Sequence, residues 1–155
     1  MREIKIHTID ALRDAEALAE ILSTGAVFPL VVTGSSMMPF LKEGRDTVRL
    51  RQTDQLHRGK IIFFRRKNGE FVLHRIRRIY PDGRLLVNGD AQKWCESVCR
   101  DQVLAEVISI SRDGREILPD SMRSRILRAI WYPTRIFRPF IWRTYAFLRR
   151  TAKKK

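Results

Sequence analysis

The sequence predicts a mainly β fold of antiparallel strands, opened by one helix and closed by a basic helical tail. Three observations carry this reading. Short β-branched or aromatic runs fill the middle of the chain, separated by glycine-containing turn pairs. Before them, apolar residues recur with the three-and-four spacing of a helix face. The charge also divides unevenly along the 155 residues. Residues 1–120 hold 20 basic and 17 acidic side chains, and residues 121–155 hold 11 basic and none acidic. The overall +14 is therefore a nearly neutral body followed by a cationic tail.

The elements follow in order. Asp10 to Ser23 reads as a helix, with Leu12, Ala15, Leu18, Ala19 and Leu22 on one face, Asp10 as N-cap and Gly25 as stop. Strands are expected at Val27–Val32, Thr47–Gln52, Lys60–Arg65, Phe71–Ile79, Arg84–Val87 and Val103–Ser111. Gly44, Asn68-Gly69, Pro81-Asp82-Gly83, Asn88-Gly89 and Asp113-Gly114 punctuate them. Asn-Gly and Asp-Gly pairs accept the positive φ of the primed turns that close hairpins, so Asn68-Gly69 and Asp82-Gly83 are the strongest hairpin signals. This divides the chain into a helix over 1–25, a β domain over 26–118 and a tail over 119–155. After Pro119 the pattern becomes helical, with Pro133 and Pro139 breaking it into short pieces.

Composition excludes several classes. Forty-four per cent apolar residues is enough for a core. Cys95 and Cys99 make neither a disulfide framework nor a zinc site, and are expected to be buried or half-buried thiols. No cofactor is implied. No apolar run is long enough to span a bilayer, and no basic start followed by an apolar stretch marks an export signal. The tail combines arginines with Trp, Phe and Tyr, a composition that suits an anionic membrane surface. Arg128, Trp131, Arg135, Phe137, Arg138 and Trp142 are its candidate contact residues. Packing of the tail on the β domain is the second reading of the same residues, and nucleic acid, drawn by the 11 cations, is the third.

The chemistry-bearing stretch is Gly34-Ser35-Ser36-Met37-Met38-Pro39, directly after a strand. Gly34 permits a sharp turn and Pro39 fixes the exit, so one hydroxyl is held beside free backbone N–H groups, as a serine nucleophile requires. A Ser-rich turn with a purely structural role is the competing reading. The box resembles the Gly-x-Ser-Met-x-Pro nucleophile motif of the signal peptidase I family and its relatives, the self-cleaving SOS-type repressor proteases. Further segments match in the same order. Arg58-Gly59-Lys60-Ile61-Ile62-Phe63-Phe64 is similar to the family's Gly-Asp-Ile-Val-x-Phe strand, with Lys60 replacing Asp. Phe71-Val72-Leu73-His74-Arg75-Ile76 resembles the base-bearing strand, and Asn88-Gly89-Asp90 the later Gly-Asp box.

The resemblance covers about residues 27–111 and implies coiled antiparallel β-sheets. It also implies Ser36 as nucleophile and His74 as base, in the histidine version found in endoplasmic-reticulum, archaeal and some sporulation-associated enzymes. Most bacterial members use lysine instead. The orienting acid is expected to be Glu96, with Asp90 as the alternative, and the oxyanion hole to come from the backbone of Gly34, Ser35 and Ser36. The implied partner is a peptide or precursor-protein substrate, exported or membrane-adjacent. The location expected from the missing export signal and the basic tail is instead peripheral on the cytoplasmic membrane face, with soluble cytoplasm second, whereas signal peptidases act on the far side. A non-catalytic peptide-binding module of the same fold is the alternative function.

Overall fold

The computed structural model describes residues 13–131 together with Pro133, Thr134 and Phe137. Helix α1 (Arg13–Ser23) ends where expected, with Gly25 at φ 78° beyond it. Asp10, the expected N-cap, lies outside the described residues. Eight strands follow: β1 (Phe28–Val31), β2 (Asp46–Arg51), β3 (Ile61–Arg65), β4 (Phe71–Ile79), β5 (Leu85–Asn88), β6 (Glu96–Val98), β7 (Val103–Arg112) and β8 (Arg115–Ile117). They form one antiparallel sheet in the order β1-β2-β7-β3-β4-β5-β6, with β8 paired to β7.

The predicted turns are where the sheet folds back. Gly69 at φ 90° and Gly83 at φ 82° close the β3–β4 and β4–β5 hairpins. The Asn68 and Asp82 side chains accept the N–H groups of Glu70 and Arg84, two residues on. Asp113 and Gly114 both have positive φ between the paired Arg112 and Arg115, the two-residue hairpin that reverses β7 into β8. Strands β6 and β8 have three residues each and no run long enough to predict them.

The register shifts within β2, β3 and β4, at Arg49/Leu50, Phe63/Phe64 and Ile76/Arg78. Such bulges bend a strand and increase its twist, which coils the sheet so that both its faces can be covered. Strand β3 records the result in its burial. Ile61 and Phe63 join a core with Leu18, Leu22, Leu41, Val48 and Leu50, whereas Ile62 and Phe64 join a second core with Ile76, Leu85, Val87 and Val98. A half-exposed sheet would alternate apolar and polar residues; β3 is apolar on both sides because it is covered on both.

Asp46, at the start of β2, is buried and accepts hydrogen bonds from Arg45, Arg112 and the Lys42 N–H. Burial alone would push its carboxyl up, but these donors outweigh it and take the pKa down to about 2.

Helix α2 (Met122–Trp131) starts at Ser121, whose hydroxyl accepts the Ser124 N–H at 3.3 Å. Its orientation corrects part of the expectation for the tail. Arg128 donates to the Gly59 carbonyl at 2.7 Å, and the Trp131 indole N–H donates to the Asp90 carbonyl at 2.7 Å. Both side chains thus face the β domain rather than an outer surface, because buried-edge carbonyls offer them hydrogen bonds. Phe137 is exposed; Arg135, Arg138 and Trp142 lie outside the described residues. Cys95 is half-buried and Cys99 is exposed, the latter against expectation, on the turn after β6. No described helix is long and apolar enough to cross a membrane.

Candidate active site

The Ser36 box forms a tight turn after β1. Gly34 takes φ 76°, a conformation that side chains oppose, and Met38 and Leu41 N–H groups donate back to Ser35 and Met37. Met37 is buried in the first core and anchors the turn. Ser36 is half-buried, and its carbonyl accepts the Ala91 N–H at 2.8 Å. A Cβ placed on Gly89 would come within 2.7 Å of the same carbonyl. The Asn88-Gly89-Asp90 segment therefore needs glycine where the nucleophile turn presses on it. Among the described residues, no acceptor takes the N–H of Ser36, which leaves it available to a developing oxyanion.

The same segment relates the turn to His74. Arg75 pairs with Asn88 in the last pair of the β4–β5 ladder, and His74 and Gly89 are the next residues along each chain. The Asn88–Ala91 segment thus adjoins both the Ser36 main chain and Arg75, the residue next to His74. His74 is fully buried, flanked by the Phe64 ring at 5.9 Å and the Trp94 ring edge-on at 6.1 Å.

Glu96 on β6 places Oε1 2.7 Å from His74 Nδ1. Arg66, which sequence reasoning did not single out, grips the same carboxylate through both its oxygens at 2.8 Å, and stacks at 5.6 Å over Trp94. Arg66 also pairs with Glu70 across the hairpin at 2.9 Å. A carboxylate at Nδ1 holds the imidazole proton on that nitrogen and leaves the Nε2 lone pair free. Glu96 Oε1 is within ion-pair distance of Nδ1 but not in line for a straight hydrogen bond, and Nε2 is buried with no hydrogen-bond partner among the described residues. A buried acceptor left open is uncommon and fits a group whose partner is a reacting hydroxyl. Burial chiefly pushes the His74 pKa down; Glu96 opposes this, Arg66 adds to it, and the balance stays low. The imidazole is therefore neutral at pH 7, as a general base must be.

The alternative acid is engaged elsewhere. Asp90 is buried against Arg75, with bonds of 2.7 to 3.1 Å, and also takes Arg77 at 3.2 Å. Arg75 in turn donates to the Gly59 carbonyl at 2.7 Å. Asp90 thus ties the Gly-Asp box to β4 and to Gly59. Lys60, at the position where the resemblance expects Asp, meets Glu106 at 3.2 Å and Asp120 at 3.1 Å. Burial works against its charge, but the two carboxylates prevail and raise its pKa, so this lysine stays protonated and is no base. No group of three or more His, Cys, Asp or Glu able to hold a metal occurs among the described residues.

A family model of Peptidase S24-like proteins matches residues 4–108, which includes α1, the Ser36 box, His74, Asp90 and Glu96. The chain belongs to the Peptidase S24-like family. The match spans two thirds of the chain, agrees with the antiparallel β architecture and makes the protein a serine-peptidase-type hydrolase at family level. No curated protein matches the chain. The match ends within β7, before β8 and α2.

Proposed function

We propose that the protein is a serine endopeptidase in which Ser36 is the nucleophile, His74 the general base and then acid, and Glu96 the residue that orients His74. The observation that carries this reading is Glu96 Oε1 at 2.7 Å from Nδ1 of buried His74, with the Ser36 main chain held against Gly89 and Ala91, which follow the strand paired to the one bearing His74. Ser36 Oγ attacks the scissile carbonyl as its proton passes to His74 Nε2, and the Ser36 N–H meets the oxyanion. The imidazolium, steadied by Glu96, gives that proton to the leaving amine as the C–N bond breaks. Water then adds to the acyl-serine with His74 again taking the proton, and collapse returns it to Ser36. By its likeness to signal peptidase I, the substrate class is exported or membrane-adjacent peptides with small residues before the cut.

Labelling of purified protein by a fluorophosphonate probe tests the assignment without a known substrate. Wild type is expected to be labelled at Ser36, and both Ser36→Ala and His74→Ala are expected to abolish labelling. A folded wild type that is not labelled, or labelling that survives Ser36→Ala, would sink the reading and leave a peptide-binding module of the same fold.

A further inference from the structure

Helix α2 is turned opposite to an ordinary surface helix. A helix packed on a globular domain buries its apolar stripe and shows its polar side to water. Here the inward side carries Arg128 and Trp131, fixed to the Gly59 and Asp90 carbonyls at 2.7 Å each. The opposite side carries Met122 and Ile126, and Ile130, four residues further on in the same row, borders the groove between the helix and Pro39 and Phe40. They are 68, 53 and 66% exposed, and Leu118 and Phe137 extend the apolar surface beyond the two ends of the helix at 60 and 62%. The helix cannot roll this ridge inward without giving up both hydrogen bonds.

What covers the ridge must also suit its charge. From residue 121 onward the chain carries 11 cations and no anion, and Arg125 is exposed on the flank of the ridge. A second copy of the chain would bring like charge against like charge. Nucleic acid would satisfy the cations and leave the apolar row in water. A surface that is apolar below and anionic above satisfies both. We infer that the outer face of α2 docks on an anionic lipid bilayer, with Met122, Ile126 and Ile130 entering the headgroup–acyl boundary. Trp131 holds Asp90, and the adjoining Ala91 holds Ser36, so the docked helix carries the Ser36 turn with it to the bilayer surface. The docking surface stands apart from catalysis and is tested without it.

The test is flotation of the full chain with phosphatidylcholine–phosphatidylglycerol vesicles, against pure phosphatidylcholine vesicles and duplex DNA, at physiological salt. Wild type is expected to float with the anionic vesicles and not with the neutral ones. The combined substitution Met122→Ser, Ile126→Ser, Ile130→Ser is expected to weaken that binding at least about tenfold, with thermal melting unchanged because all three side chains are exposed. Wild type that ignores anionic vesicles, that binds both vesicle types equally, or that prefers DNA overturns the inference. So does a folded triple variant that floats as wild type does.

Discussion

Replacing Glu96 with Gln asks the most of the proposed site. The Glu96 carboxylate serves three partners through two oxygens: two Arg66 nitrogens at 2.8 Å and His74 Nδ1 at 2.7 Å. Glutamine has one acceptor oxygen and an NH2 that only donates. If its oxygen faces His74, its NH2 meets an Arg66 donor. If its NH2 faces His74, Nδ1 must accept, the proton moves to Nε2, and the base is lost. A charge-assisted hydrogen bond is worth about 1.5 to 3 kcal/mol, which is about 10- to 150-fold in rate at ~1.4 kcal/mol per decade. Loss of the correct tautomer takes the fall towards about 10⁴-fold, as in the general serine–histidine–acid scheme. The assay is the second-order rate of fluorophosphonate labelling across pH. In wild type the rate should rise through a His74 pKa below the ordinary imidazole value, since burial disfavours the charged ring. Glu96 is a group that raises this pKa and Arg66 one that lowers it, so Glu96→Gln should move the acid limb to still lower pH as the plateau falls. A plateau within about threefold of wild type, or an acid limb that moves up, would refute the pairing.

Three further outcomes are expected. Asp90→Asn leaves buried Arg75 without its anion, which should cost about 3–5 kcal/mol and lower Tm on the order of 10 °C, while labelling of Ser36 below the melt persists; calorimetry and labelling together read both halves. Gly89→Ala drives a Cβ to 2.7 Å from the Ser36 carbonyl, a backbone atom that cannot swing aside, so labelling should fall more than about tenfold with the far-UV spectrum preserved. Asp46, held down to about 2, contributes stability above the ordinary aspartate pKa that is lost as pH falls from about 4 towards 2. Asp46→Asn should flatten that part of the Tm-against-pH curve.

The strands that were legible in the sequence are those whose patterns are local. β4 lies where its β-branched run places it, Phe71–Ile79, and the Asn68-Gly69 and Asp82-Gly83 turns close the hairpins beside it. Strands β6 and β8 were not legible, because three residues hold no period and their place is set by partners far along the chain. Ser36 and His74 could be chosen as candidates because each sits in a distinctive local string. Glu96 is expected ahead of Asp90 from its place after the Gly-Asp box, but both are carboxylates near one box, and only the fold shows that Asp90 meets Arg75 and Glu96 meets His74. Arg66 gave no signal among Arg65, Arg66 and Lys67; only the folded hairpin brings it to Glu96. The arginines and aromatics of the tail announced an amphipathic segment but not its handedness about the helix axis. Two carbonyls, those of Gly59 and Asp90, fix that.

Strand β6 is the outermost rung of the sheet, bonded to β5 alone and three residues long. Its first residue is Glu96. Terminal rungs open at far lower free energy than the body of a sheet, through local excursions that leave the rest intact. The acid therefore sits on the part of the fold that comes apart first, whereas His74 lies on a strand bonded on both sides. In the proposed mechanism, fraying this one short rung would part Glu96 from His74 with both cores still packed, and Arg66 is the clasp that would oppose it. Amide exchange at Ser97 and Val98 would report the open fraction directly.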